Sequence, residues 1–178
     1  MHILQNLFIF VSSSRRMIPL PHNDLDDLDF QILLHLQKDG RKSFTDIADD
    51  LNVSVGTVRN RYNLLIKDKT LTIIGRVDPE KIGFNAYAHI MISVRPAGQI
   101  NVVAEKIAKL PEVSFLAMVS GKYDLEVNVM CRNNDHLIKV MNEKILKIKG
   151  VFETTSNMYF RVFKIAQPDL NLVKSNHT

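Results

Sequence analysis

The apolar residues of this chain change their spacing at Asp78-Pro79, and that change limits what it can fold into. Before it, Leu25, Leu28, Ile32, Leu33 and Leu36 recur at helical intervals, as do Phe44, Ile47, Ala48 and Leu51, and then Val58, Tyr62 and Leu65. That spacing predicts three helices, over roughly 24–38, 43–51 and 55–68. After it, Ala88, Ile90, Ile92 and Val94 alternate, as strands do. So do Val113, Phe115, Ala117 and Val119, and Leu125, Val127, Val129 and Cys131. Helical stretches around Ile100–Ala108 and Leu137–Ile148 separate these runs, and a long strand is expected from Phe152 to Val162. The expected class is α+β: an N-terminal winged helix-turn-helix followed by a ferredoxin-like βαββαβ domain.

Local signals sharpen the first half. Pro19 and Pro21 disfavour a helix before His22, and Asn23 is the expected N-cap of the first helix. Asp24, Asp26, Asp27 and Asp29 then complement the helix dipole. A calcium loop is excluded, because Leu28 and Asp29 stand where a ligand and a glycine belong. Ser43, with Asp46 three residues on, caps the second helix. Asn52 suits a left-handed turn, and Ser54 caps the third helix. This is the helix-turn-helix pattern. Leu71–Val77, rich in Thr, Ile and Val around Gly75, reads as a strand and wing.

In the second half, a three-residue hairpin loop at Gly121-Lys122-Tyr123 keeps apolar residues together. It pairs Val119 with Leu125, Ala117 with Val127 and Phe115 with Val129. That register sets Ser120 and Asp124 side by side at the tip. The opposite face of the sheet would carry Tyr87, Met91, Leu116, Met118 and Met130, an apolar patch suited to a subunit interface.

Length and composition exclude other classes. With 178 residues, 46% hydrophobic and 24% charged, the chain matches an ordinary globular protein. No apolar run reaches the ~18 residues of a membrane helix. The single cysteine, Cys131, allows no intrachain disulfide and suits a reducing cytoplasmic setting. Residues 1–17, in which Arg15 and Arg16 follow the apolar run, do not read as a signal peptide. They are expected to be an ill-ordered extension, with Met17 as the plausible start. The glycines form no dinucleotide or phosphate loop, the histidines have no metal spacing, and no nucleophile elbow or carboxylate pair stands out. No cofactor, metal or catalytic residue is nominated. The formal charge is +4, yet 18–78 carries 8 basic and 10 acidic residues. Within that stretch, 54–69 holds four basic residues and one acidic.

The segments LDDLDFQILLHLQKDGRKSFTDIADDLNVSVGTVRNRYNLL, VDPEKIGFNAYAHIMI and LPEVSFLAMVSGKYDLEVNV together resemble the Lrp/AsnC family of transcriptional regulators. The resemblance implies proteins that bind double-stranded DNA, respond to an amino acid or related small molecule, and form homodimers that assemble to octamers. It departs at Asn52, Asp68 and Thr72, where family members tend to have glycine; Thr72 is β-branched, so the wing's course is open there.

Four segments are expected: an extension over 1–22, a helix-turn-helix over 23–71, a wing and linker over 72–86, and an effector-binding, oligomerising domain over 87–178. The third helix should enter the major groove, with Ser54, its cap, counted among the DNA-binding residues and Val55, Thr57, Arg59, Asn60 and Asn63 facing outward. Arg61 and Lys67 are assigned to phosphates. Ser120, Gly121, Tyr123 and Asp124 resemble the family hairpin that lines the effector pocket. Asp124 suits an α-ammonium group and the backbone near Gly121 suits a carboxylate. Thr155, Ser156 and Asn157 would complete the pocket. An alternative is a small-molecule-binding oligomer whose helix-turn-helix serves assembly and not DNA.

Overall fold

A computed structural model describes residues 25–174, so the expected cap Asn23 and the extension lie outside the described residues. The chain divides into two compact units. One holds residues 25–76 together with 164–174; the other is Val77–Phe163.

The first unit is built on α1 (Asp27–Lys38), α2 (Phe44–Leu51) and α3 (Val55–Lys67). The cap of α1 is Asp26. Its carboxylate accepts the Asp29 N–H, and the Asp29 carboxylate accepts the Asp26 N–H, closing a capping box. Ser43 and Ser54 cap α2 and α3 through the N–H groups of Asp46 and Thr57. Asn52 takes the left-handed conformation, φ 53°, which turns the chain sharply between α2 and α3. Ile32, Leu33, Leu36, Ile47, Ala48, Val58 and Leu65 form the core, with Val55, Leu71 and Leu170 packed against it.

Two expectations fail here. Residues 71–78 form no strand: Leu71 packs on the core, whereas Ile74 and Val77 are exposed, and the segment has no ladder partner among the described residues. The helix-turn-helix therefore carries no strand-built wing. Residues 164–174, expected with the sheet domain over 87–178, group with the helix-turn-helix instead.

The second unit is a four-stranded antiparallel sheet of order β2-β3-β1-β4, from β1 (Ala86–Val94), β2 (Val113–Met118), β3 (Leu125–Cys131) and β4 (Val151–Met158). Helices α4 (Ile100–Ala108) and α5 (Asn134–Val140, continued as a π-helical turn over Met141–Ile145) bury the core that Ile90, Ile92, Val127 and Val129 share with Val103, Ile107, Val140 and Ile145. β4 is shorter than expected, because β1 gives it nothing to pair with beyond the Tyr159 N–H to Tyr87 carbonyl bond.

The hairpin register differs by one residue from the expected one. Val113 pairs with Val129 but Phe115 pairs with Asn128, so Ser114 is an extra residue, a β-bulge. Past it, Leu116 pairs with Val127, Met118 with Leu125 and Val119 with Asp124. Leu116 therefore packs on the core, and Phe115 and Ala117 turn to the face away from the helices. Ser120 and Asp124 are not cross-strand partners.

Candidate DNA-contacting helix and effector hairpin

At 100° per residue, Arg59, Asn60, Asn63 and Lys67 fall within one arc of about 100° on α3. All four are exposed, and so is Gly56 in the middle of the arc. Gly56 has ordinary helical geometry, and a Cβ there would meet only the Ser54 hydroxyl, at 3.6 Å. Neither strain nor crowding calls for glycine; its absence of a side chain keeps this face low. Gly56 belongs to no motif in the sequence, and its position on the arc is the signal that could have found it.

Four of the expected contact residues are engaged within the protein. Val55 is half-buried against the helical core and does not face outward. Ser54 and Thr57 are hydrogen-bonded to each other, Oγ to Oγ1 at 2.8 Å, at the cap. Arg61 lies about 150° from the middle of the exposed arc. Its Nη2 is 2.8 Å from Asp26 Oδ2, and its Nη1 donates to Asp29 Oδ2 at 3.2 Å. The guanidinium assigned to phosphate is thus engaged, while still half-buried, by two carboxylates of the protein itself. The Asp29 N–H it accepts and the Arg61 charge hold the Asp26 carboxyl below its ordinary pKa, whereas burial pushes Asp29 up.

The hairpin between β2 and β3 turns on Gly121, whose φ of +122° would strain any other residue. Its tip reaches across the end of β1 to β4. The Tyr123 hydroxyl is 2.6 Å from Thr155 Oγ1, and Lys122 Nζ lies 3.6 Å from Glu153 Oε1 and 4.9 Å from the Tyr123 ring centroid. The Thr155 hydroxyl and the Lys122 ammonium hold the Tyr123 phenol below its ordinary pKa. Tyr123 and Glu153 push Lys122 above its own. Asp124 is engaged: Oδ2 accepts the Val94 N–H at 2.7 Å and lies 3.4 Å from Arg95 Nη1. Both contacts use the same oxygen.

Thr155 and Asn157 pair with Met91 and His89, on the face away from the helices. Ser156 pairs with Ile90 on the opposite face, where its hydroxyl is 4.0 Å from Met141 Sδ. It therefore cannot share a pocket with its two neighbours. The face away from the helices also carries Tyr87 and Met130 as expected, with a His89–Glu126 pair at 3.2 Å and a Tyr159 hydroxyl donating to Asn128 at 3.1 Å. Leu116 and Met118, expected there, belong to the other face. Lys122, Glu153 and Arg95 were not nominated as site residues from the sequence, since the Lys122–Glu153 and Arg95–Asp124 pairs join positions far apart along it. Among the described residues no cluster of three or more His, Cys, Asp or Glu suits a metal ion, and no helix is long and apolar enough to cross a membrane.

A helix-turn-helix unit with an exposed, partly basic third helix, joined to a ferredoxin-like sheet, defines a class of DNA-binding regulator. Comparison with known proteins narrows it. Residues 25–66 match the AsnC-type helix-turn-helix domain, and 87–168 match the Lrp/AsnC ligand binding domain. An uncharacterised HTH-type transcriptional regulator of Pyrococcus horikoshii is 35% identical over 83% of this chain and 96% of its own. The HTH-type transcriptional regulator Ptr1 of Methanocaldococcus jannaschii is 30% identical over 79% of this chain and 95% of its own. E. coli AsnC matches the structure with a TM-score of 0.76 at 25% identity, covering 80% of this chain and 97% of that one. A Neisseria meningitidis transcriptional regulator solved as a complex with L-Met shares the fold, with a TM-score of 0.76 at 22% identity over 84% of this chain and 99% of that one. The chain belongs to the Lrp/AsnC family of DNA-binding transcriptional regulators.

Proposed function

We propose that α3 enters the major groove and that the exposed arc of Arg59, Asn60 and Asn63, with Gly56 between them, makes the base and phosphate contacts. Lys67 meets phosphate, and Ser54 and Thr57 hold the helix start. The arc is the observation that carries the reading: besides Lys67, its side chains offer one guanidinium and two amide groups, the types that bond guanine and adenine edges. Arg61 and Val55 are left out of the contact set. In a binding-shift assay with the gene's own upstream duplex, Arg59→Ala should weaken binding by about tenfold, equal to ~1.4 kcal/mol. Equal affinity for wild type and variant, at several salt concentrations, would remove Arg59 from the interface.

The sheet unit, on this proposal, takes an amino acid or related small molecule beside the hairpin. Ser120, Gly121, Tyr123, Asp124, Thr155 and Asn157 supply the polar groups, and Ser156 does not take part. The site acts within a cytoplasmic homodimer that can assemble to an octamer. What supports this is the convergence of polar groups from the hairpin and β4 on one face, together with the L-Met bound by a relative of the same fold. The ligand is the amino acid that raises the unfolding midpoint, since a binder stabilises by mass action. Asp124→Asn keeps the side-chain shape and removes the charge. Calorimetry should then show at least a tenfold loss if Oδ1 receives the ammonium; a change under about threefold places the anchor elsewhere.

A further inference from the structure

Arg61 sits on the recognition helix of a DNA-binding protein, yet it is bound to two carboxylates. Those carboxylates are the reciprocal pair that starts α1. Asp26 Oδ1 accepts the Asp29 N–H at 2.9 Å, and Asp29 Oδ2 accepts both the Asp26 N–H at 3.3 Å and Arg61 Nη1 at 3.2 Å. Asp29 is 6% exposed, so its charge is compensated from within the protein. One planar guanidinium therefore ties the middle of α3 to the first turn of α1 through a fork of fixed geometry.

The other contacts that seat α3 constrain it less. Val58 and Leu65 are buried, and Val55 and Tyr62 pack beside them, the Tyr62 ring 4.9 Å from that of Phe44; apart from Arg61, these contacts are apolar or aromatic. An apolar stripe resists separation, but it tolerates a small rotation about the helix axis, because dispersion has little directional preference. A two-point polar contact does not. The Arg59, Asn60 and Asn63 tips stand several ångströms from the axis, and a rotation of 10–20° is enough to spoil base recognition.

We propose that Arg61 is a positioning residue for DNA binding: it does not touch DNA but fixes the rotational setting of α3 on α1, and Asp26 and Asp29 therefore support binding to a polyanion. This rests on the reading that α3 carries the contacts. It makes a prediction opposite in sign to simple electrostatics, which requires that neutralising two aspartates near DNA tighten binding.

The experiment uses the full chain and the gene's upstream duplex, with affinity measured across a salt series. Arg61→Met, which keeps the stem and removes the fork, should weaken binding by about tenfold. The slope of log affinity against log salt should stay unchanged, because no phosphate contact is lost. Lys67→Ala, the phosphate control, should lower that slope by about one. Arg61→Lys should fail to restore affinity, since an ammonium cannot span both carboxylates. Asp29→Asn should weaken binding at least threefold. The double variant with Arg61→Met should be no worse than the more damaging single change, because both break one contact. Circular dichroism selects the variants that remain folded; should Asp29→Asn unfold, Asp26→Asn makes the same test from the more exposed carboxylate. A slope reduced by about one in Arg61→Met, recovery in Arg61→Lys, or tighter binding in either aspartate variant overturns the proposal. If Arg59, Asn60 and Asn63 prove dispensable while the wild type still binds, the α3 reading fails instead.

Discussion

Lys69 holds a left-handed conformation, φ 66°, one residue beyond the C-cap of α3, while Asp68 before it stays right-handed at φ −85°. The Asp68 carboxylate accepts the Thr70 N–H and locks the turn. A lysine there bears the steric cost of positive φ without using its side chain for the turn. Lys69→Gly should raise stability by about 0.5–1 kcal/mol, read as a higher unfolding midpoint. An unchanged or lower midpoint would show that glycine's extra freedom in the unfolded chain outweighs the relief. Glu112 is a different residue-scale case. It is 8% exposed, with Oε1 at 2.6 Å from Lys144 Nζ and 3.3 Å from His136 Nε2, while Oε2 is buried without a hydrogen bond. Burial pushes its carboxyl up, but Lys144 and the hydrogen bonds outweigh that and hold it below its ordinary value. A carboxyl lowered on folding stabilises the protein fully above its unfolded pKa, and that contribution is lost as pH falls through the folded value. The sheet unit should therefore weaken below about pH 4. Glu112→Gln should cost about 1–3 kcal/mol at neutral pH and flatten the acid limb, in denaturant melts at pH 7 and pH 3.5. Melts of wild type and variant that fall in parallel with pH would assign the acid limb to other carboxylates.

Elements whose signals are local could be read from the sequence. Ser43, Asn52 and Ser54 announce the turn between α2 and α3 because caps and left-handed turns depend on a few neighbouring residues. Asp26 was hidden among four nearby aspartates, any of which can start a helix; only the reciprocal bond with Asp29 singles it out. The hairpin register was not legible for a sharper reason. The alternation of Val113, Phe115, Ala117 and Val119 is real, but the bulge at Ser114 resets its phase, and a one-residue insertion flips every side chain beyond it. Asp29 lies 32 residues from Arg61, with Asp26 farther still, and Thr155 lies 32 from Tyr123, so no local pattern encodes these pairs. Leu71–Val77 reads as a strand because its composition favours extension, but a strand also needs a neighbour. The bulge makes an element-scale prediction. Leu116→Ala should cost about 1–2 kcal/mol, because its side chain packs on the sheet core. Phe115→Ser should leave the monomer's stability within about 0.5 kcal/mol and reduce self-association, because Phe115 faces away from the helices and is 48% exposed. Denaturant midpoints and sedimentation separate the two. The reverse order of costs would restore the unbulged register.

At the largest scale, the peptide passes between units twice among the described residues, at Arg76–Val77 and at Phe163–Lys164. The second passage brings residues 164–174 back to the helix-turn-helix, where they are held by specific contacts. The Gln37 side chain donates to the Pro168 carbonyl at 2.7 Å and accepts the Leu170 N–H at 3.5 Å, the pairing a neighbouring strand would offer. Leu170 packs against the helical core, and Arg76 donates to the Ile165 carbonyl at 3.3 Å. A three-helix unit of this size buries little apolar surface, so one added leucine is a sizeable share of its stability. Truncation after Phe163 should therefore destabilise the helix-turn-helix by about 1–2 kcal/mol and leave the sheet unit as it was. Leu170→Ala should reproduce most of that loss. Hydrogen exchange read by mass spectrometry distinguishes the units without an optical probe. Amides of α1 and α3 should exchange faster in the truncated chain by about tenfold, while those of β1 and β3 keep their protection. Uniform loss across both units would mean that they unfold as one. No change in α1 and α3 would mean that the C-terminal residues add nothing to the DNA-binding unit they pack against.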